Sequence, residues 1–312
     1  MKTLTDADVD RLLPMKDAIG VMGKAFRAKS EGHLQAPPRF YVPFPGGKLV
    51  FTVGGNDVDD SVAGFRVYNT FPGAAEDGGD FPDRTQATMV FDVRNGSLQG
   101  TILGTRLGVL RTSAIGGVAL KHLANPAAQR IGFIGSGLQA RAQLEAAAAV
   151  LPLESVRVFS PTPAHREKFA RWATQTFGFG AEATATAREA VQGSDVIICS
   201  TVSSRPVIEA GWIRPGVHLT TMGSKSIDEH EIDAAVAEQA DLIATDSPAQ
   251  MAGHSEPHIL EGTSAWGRVA DLAEIVAGHT EGRTAATQRT LFLSEGLAGT
   301  EVLLAAELLR RA

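Results

Sequence analysis

The chain has 312 residues, 44% of them hydrophobic and 21% charged, which is enough for two domains of about 150 residues and fits a water-soluble globular protein. A net charge of −6, with acidic and basic residues interspersed, weighs against an electrostatic surface for nucleic acid or membrane, so the expected partner is a small molecule. The one cysteine, Cys199, excludes an intramolecular disulfide and a cysteine metal cluster. The opening "MKTLTDADVDRLLPMKDAIGVM" lacks a signal peptide's uninterrupted apolar run, and no segment approaches the roughly 20 apolar residues that span a bilayer. A cytoplasmic, reducing location is expected.

The stretch from Thr5 to Gly32 has apolar residues at helical spacing, with Thr5 or Asp6 able to cap it and Gly32 able to end it. From Gln35 to Thr101 the pattern becomes short β-type pieces separated by Pro and Gly, among them "RFYVPF", "KLVFTVGG", "AGFRVYNTF" and "ATMVFDVRNGSLQGTIL". Asn95-Gly96 in the last is a strong hairpin signal, so a meandering antiparallel sheet is expected. The one low-complexity tract is the Gly/Asp-rich "PGAAEDGGDFPD", residues 72–83. "RTSAIGGVALKHLA" then reads as a helix beginning at Arg111 or just after it. From Gln129 apolar strands alternate with amphipathic helices, the pattern of a parallel sheet covered on both faces, with Cys199 inside the strand "DVIICST". The closing "TLFLSEGLAGTEVLLAAELLRRA" reads as helical and is expected to return to the first domain.

"RIGFIGSGLQARAQLEAA" places Gly135-x-Gly137-x-x-Ala140 directly after a strand and at the start of a helix. In that context Gly135 permits the tight turn, Gly137 lets a pyrophosphate approach the backbone, and Ala140 allows close helix packing; Ser136, Leu138 and Gln139 share the loop. The following strand ends in Ser160-Pro161-Thr162, where an NAD site would carry an acid for the ribose 2′-hydroxyl. Small hydroxyls with Arg166 one turn on suit a 2′-phosphate instead, which favours NADP over NAD, although Ser160 and Thr162 can equally cap the helix. Thr201 and Met222 end strands where the nicotinamide half belongs.

The segments "LRTSAIGGVALKHLA", "IGFIGSGLQARAQLEA", "STVSSRPVI", "HLTTMGS", "IATDSPAQ" and "LFLSEGLAGTEVLLA", in this order and spacing, resemble the ornithine cyclodeaminase/mu-crystallin family along essentially the whole chain. The resemblance implies an α/β fold in which a Rossmann-type parallel sheet domain, residues 122–289, is inserted into an α+β domain with a mainly antiparallel sheet, residues 1–121 and 290–312. The latter would bind substrate and form a homodimer. The implied activity is NAD(P)-dependent hydride transfer between nicotinamide and the α-carbon of an amino, imino or keto acid. Arg39 in "PPRF" and Arg111 in "LRTSA" match carboxylate-binding residues, a role suited to the planar guanidinium fork. Arg111 and Thr112 are also expected at the cofactor, as are Gly223, Ser294 and Gly296. An arginine at a helix amino terminus would itself be unfavourable without an anion.

Two positions depart from the family pattern. Arg66 in "AGFRVYNTFPG" stands where the family has lysine; it can bind a carboxylate but, with a pKa above about 12, is a poor proton donor. In "MGSKSIDEHEID", Gly223, Ser224, Glu231 and Ile232 fit, while Lys225 stands where aspartate is expected. Lys225 reads as the first exposed residue beyond its strand, and its expected roles are proton donor to the imine nitrogen, with a pKa lowered beside cationic neighbours, or binder of a second carboxylate. It would repel the distal ammonium of ornithine by about 4 kcal/mol at about 4 Å and an effective dielectric of about 20. Arg39, Arg66, Arg111 and Lys225 together carry no matching carboxylate, so a dicarboxylate or a substrate with an uncharged side chain is expected rather than a basic amino acid. The alternatives are a cyclodeaminase-type lyase with catalytic NAD and a mu-crystallin-like binding protein. Asp246 reads as a turn cap or a cofactor-side group, and His254 and His258, separated by a proline and without a convergent acid, as surface or interdomain residues with no metal.

Overall fold

Pro14 divides the amino-terminal amphipathic stretch. In the computed structural model, which describes residues 1–58, 61–71 and 86–312, a short strand β1 (Lys2–Leu4) precedes two helices, α1 (Asp6–Leu12) and α2 (Met15–Ser30), where one was expected. Proline has no N–H to give and fits at a helix start, so α2 begins directly after it. The Gly/Asp-rich tract 72–83 lies outside the described residues.

The chain divides into two compact units, residues 1–115 with 296–312, and residues 116–295. In the first, β2 (Leu34–Gln35), β3 (Phe40–Phe44), β4 (Gly47–Asn56), β5 (Val62–Asn69), β6 (Ala87–Asp92) and β7 (Leu98–Leu103) form with β1 a sheet ordered β1-β7-β6-β5-β4-β2, with β3 also on β4. All pairings are antiparallel except β1 with β7, and β6 and β7 join across Asn95-Gly96 as expected. Strand alternation puts Val62, Gly64 and Arg66 of β5 on its buried side, and the register sets Arg66 opposite Thr52 and Thr88, both buried. A charge is thereby folded into a core face.

Helix α3 (Arg106–Leu123) begins earlier than expected, so Arg111 lies in its second turn rather than at its amino terminus. The acid at that terminus is Asp6, whose carboxylate accepts from the N–H of Thr105 (3.1 Å) and of Arg106 (2.9 Å). Arg111 therefore sits away from the helix end and needs no anion on that account.

The second unit contains β8 (Arg130–Ile134), α4 (Leu138–Val150), β9 (Ser155–Phe159), α5 (Pro163–Phe177), β10 (Gly180–Ala183), α6 (Ala187–Val191), β11 (Val196–Cys199), β12 (His218–Thr221), α7 (Ala234–Glu238), β13 (Leu242–Thr245), α8 (Pro248–Ala252), β14 (Val269–Asp271), α9 (Leu272–Ala277) and β15 (Thr290–Leu293). Its strands are all parallel, ordered β10-β9-β8-β11-β12-β15-β13-β14. One core, with Phe133, Leu144, Val158 and Phe169, covers one face, and a second, with Ile134, Ile197, Leu219 and Leu291, covers the other. Burial on both faces is why these strands show no period-two alternation. The chain direction reverses across the sheet between β8 and β11, the switch point at which ligands bind in open α/β sheets.

The carboxy-terminal stretch is not one helix. Thr290–Leu293 is strand β15, fully buried between β12 and β13, and the returning helix α10 (Thr300–Arg311) begins after it. A four-residue apolar run has no period that separates buried strand from buried helix. Among the described residues no helix is long and apolar enough to cross a membrane.

His218 on β12 is fully buried, with ring nitrogens 2.9 Å from Thr290 Oγ1 and 3.0 Å from Thr220 Oγ1. Burial, and secondarily the Arg283 guanidinium, bring its pKa from 6.5 down to about 3. Below pH 6.5 the unfolded chain takes up a proton that the folded chain refuses until about pH 3. The site's stabilisation is thus full above pH 6.5 and falls by up to about 1.4 kcal/mol per pH unit on acidification. Urea unfolding of wild type and His218→Gln at about pH 7 and about pH 4.5 checks this: the variant is expected to lose less stability over that interval.

Candidate functional site

The buried charge on β5 is met from α10. Arg66 Nη1 donates to Glu301 Oε1 at 2.7 Å, and Arg111 Nη2 donates to the same oxygen. Glu301 is completely buried; burial alone would raise its pKa, but Arg111 and then Arg66 outweigh this and hold it at about 2. Arg66 is lowered by burial and by Arg111, with Glu301 opposing. Arg39 belongs to the same cluster: a Cβ on Gly296 would lie 3.3 Å from Arg111 Nη1 and 3.4 Å from Arg39 Nη2, and Gly296 also has φ +86°. A glycine there lets the backbone turn beside two guanidinium groups. The expected absence of a carboxylate among these arginines is corrected by Glu301. Arg66 and Arg111 share that one oxygen of Glu301, and Arg66 Nε and Arg111 Nε are buried without a hydrogen-bond partner. Thr112, beside Arg111, donates its hydroxyl to Gly108 O at 3.0 Å.

In the parallel-sheet unit, Gly135 follows β8 with φ +104°, and a Cβ there would lie 2.1 Å from Ser200 O at the end of β11. Only glycine passes between these strand ends. Gly137 has open space where a Cβ would stand and caps α4 with no side-chain hydrogen bond, while Ala140 is fully buried. The first turn of α4 thus presents backbone N–H groups toward an open loop, the arrangement that takes a pyrophosphate. Gln139 Oε1 is buried without a partner in the same turn. Ser136 Oγ donates to Ser160 Oγ (3.0 Å), and Arg166 Nη1 donates to Ser160 O (2.8 Å), so the loop and the end of β9 are tied together without an acid. Thr162 occupies the N-cap position of α5 but makes no side-chain cap bond.

Lys225 is buried rather than exposed, with 7% of its surface accessible. Its ammonium donates to Gly223 O and Ser294 O, each at 2.9 Å, and stands 3.9 Å from Glu295 Oε1. Within this unit its neighbours are a carboxylate and two carbonyl oxygens, not cations. His254 Nε2 lies 2.8 Å from Glu295 Oε2, and the buried His258 Nε2 lies 3.3 Å from Oε1. Burial would raise the Glu295 carboxyl, but Lys225 and the two histidines hold it well below the usual range. Glu295 is the convergent acid that the histidine pair was expected to lack, and His258 is a core residue. No metal-holding group of three or more His, Cys, Asp or Glu side chains occurs among the described residues. Asp246 is buried and accepts from Glu295 N at 2.8 Å. Thr201, Met222 and Gly223 all donate backbone N–H groups to buried Glu231.

The model of the ornithine cyclodeaminase/mu-crystallin family matches residues 1–310. The chain belongs to that family. It is 29% identical to alanine dehydrogenase of Archaeoglobus fulgidus over 97% of this chain and 92% of that one. It is 30% identical to ketimine reductase mu-crystallin of Mus musculus over 73% and 69% of the two chains. The solved structure of Thermococcus litoralis Delta(1)-pyrroline-2-carboxylate reductase in complex with NADH and L-proline superposes with a TM-score of 0.92 at 30% identity, covering 100% of this chain and 97% of that one. The fold of this family member is accordingly that of amino and imino acid dehydrogenases and reductases.

Glu295 and Glu301 carry no sequence motif, and Glu231 fits the family pattern without a role attached to it. Glu301 lies 235 positions from Arg66 in the chain, and only its place in an otherwise apolar face of α10 hinted at it. Glu301→Gln removes the charge that balances two buried guanidinium groups, and a loss of about 3–5 kcal/mol is expected in urea unfolding. A loss below about 1 kcal/mol would show that solvent already screens the pair.

Proposed function

We propose that this protein is an NAD(P)-dependent oxidoreductase that moves hydride between nicotinamide and the α-carbon of an imino, ketimine or amino acid with an uncharged side chain. The observation that carries this is the buried pair Arg66 and Arg111, which share one oxygen of Glu301 and retain buried Nε groups to give, with Arg39 beside Arg111 at Gly296. A substrate carboxylate supplies the missing acceptor and charge. The loop Gly135–Gln139 and the start of α4 fit the pyrophosphate of a dinucleotide, which when bound supplies or takes the hydride.

The arginines fix the carboxylate, so the imine carbon is presented in one orientation. The substrate nitrogen arrives as the protonated iminium ion, which accepts hydride without an acid from the protein. This reading gives Arg66 a binding role, in keeping with its weak acidity, and makes Lys225 a positioning residue that holds the Gly223 and Ser294 carbonyls. Because Glu295 balances Lys225, that pair offers no spare charge to a substrate side chain. This supports a neutral side chain over a dicarboxylate, in line with the alanine and proline chemistry in the relatives' names. Ser160, Thr162 and Arg166 support NADP over NAD. A homodimer in the cytoplasm fits the exposed aromatics of β3, Phe40, Tyr41 and Phe44, and the single buried cysteine.

A nicotinamide absorbance screen with both cofactors, against cyclic imines and against keto acids plus ammonia or methylamine, is expected to find turnover exceeding that with ornithine or lysine. Ammonia release from ornithine without net absorbance change would overturn the reading in favour of a lyase. Arg111→Met is expected to raise the substrate KM by about 30-fold or more, the worth of a charge-assisted hydrogen bond. Lys225→Met is expected to keep the wild-type pH profile of kcat; loss of one limb of that profile would make Lys225 the proton donor. Arg166→Ala is expected to weaken NADPH about 10-fold while leaving NADH unchanged.

A further inference from the structure

Glu231 is completely buried and meets no cation among the described residues; its carboxylate is instead filled by five donors. Oε1 accepts from Thr201 N and Thr201 Oγ1, both at 2.6 Å. Oε2 accepts from Thr221 Oγ1 (2.8 Å), Met222 N (3.1 Å) and Gly223 N (2.8 Å). Thr201 follows β11 and Thr221 ends β12, two adjacent strands, so one side chain fastens both strand ends. The residue is itself anchored: its N–H donates to Ser224 O and its carbonyl accepts from Val207 N, each at 3.0 Å, and Ile232 beside it is core. Gly223 is small for this carboxylate, since a Cβ there would lie 2.8 Å from Glu231 Cδ. Next to Thr201, Val202 is fully exposed, an apolar side chain with nothing covering it at the carboxyl edge of the sheet.

We propose that Glu231 is the positioning residue for the nicotinamide half of the cofactor site. It sets the backbone of Thr201-Val202 and Met222-Gly223 against which the nicotinamide ring and its ribose would rest. This rests on the dinucleotide reading above but assigns a role to a residue that touches neither phosphate loop nor substrate arginines. The geometry makes the acid irreplaceable by its amide. Glutamine has one acceptor oxygen; in one flip its NH2 faces the N–H of Thr201, in the other the N–H groups of Met222 and Gly223. Donor meets donor either way, and one strand end must move.

The test compares two ligands on Glu231→Gln by calorimetric titration: reduced dinucleotide, and ADP-ribose with its 2′-phosphate, which lacks the nicotinamide. The dinucleotide Kd is expected to rise about 10-fold or more and kcat at saturating cofactor to fall similarly, while ADP-ribose binding stays within about 2-fold. Equal weakening of both ligands, or of neither, overturns the proposal and leaves the cofactor reading standing. A wild-type protein that binds neither ligand overturns both. Should Glu231→Gln not fold, Thr221→Val removes one donor to Oε2 and keeps the shape; selective loss of dinucleotide affinity by about 3-fold supports the proposal, and an equal or absent effect overturns it.

Discussion

A carboxylate taken out of water must be met by donors or cations, and this requirement is imposed at Glu301, Glu231 and Glu295. Glu301 meets it with two guanidinium groups, Glu231 with five hydrogen-bond donors, and Glu295 with a lysine and a histidine. Burial of an ionised group costs several kcal/mol when unmet, so each partner is held where its carboxylate requires it. The parts of the structure that matter chemically are those these acids hold in place: the arginines on β5 and α3, the ends of β11 and β12, and the Lys225 loop.

The three solutions have different consequences. At Glu301 compensation is incomplete in the useful direction, because more positive charge is gathered than one carboxylate neutralises and two Nε groups stay unpartnered. Such a pair keeps donor capacity in its planar forks. At Glu231 compensation by donors alone leaves a fixed backbone shape and no attraction for a ligand. At Glu295 it produces a charge-balanced cluster whose exposed member is His254. One element type, a buried acid, is thus compensated in three ways: by shared guanidinium groups, by hydrogen-bond donors alone, and within a lysine-histidine cluster.

Features with local sequence signals were legible. The strand-turn-helix placement of Gly135-x-Gly137-x-x-Ala140 is legible because the three pieces are consecutive, and the close approach to Ser200 explains the first glycine. The antiparallel meander was legible from Pro, Gly and the Asn95-Gly96 turn. What failed was non-local. Nothing near Arg66 in the chain announces Glu301, and nothing near Lys225 announces Glu295, since the partners meet only when α10 and the residues after β15 come home. Strand β15 reads as helix because four apolar residues have no period, and the start of α3 is hidden from its own sequence because its cap is Asp6, about a hundred positions earlier. Counting charges along a sequence overstates the field wherever a distant acid folds in beside them.

Lys225 illustrates what that correction does to function. Read alone, a lysine in place of an aspartate suggests a cationic pocket that repels basic substrates and invites acidic ones. With Glu295 at 3.9 Å and two carbonyl oxygens on its ammonium, the lysine exports little of its charge, so neither repulsion of ornithine nor attraction of a second carboxylate follows from it. Glu295 is consumed in the same way. A carboxylate engaged by a lysine and His254 can neither meet another cation nor take a proton without breaking those contacts. In this member of the family an acid and a base thus consume one another's charge at Lys225 and Glu295, whereas Arg66 and Arg111 share one carboxylate oxygen and keep unpartnered Nε groups.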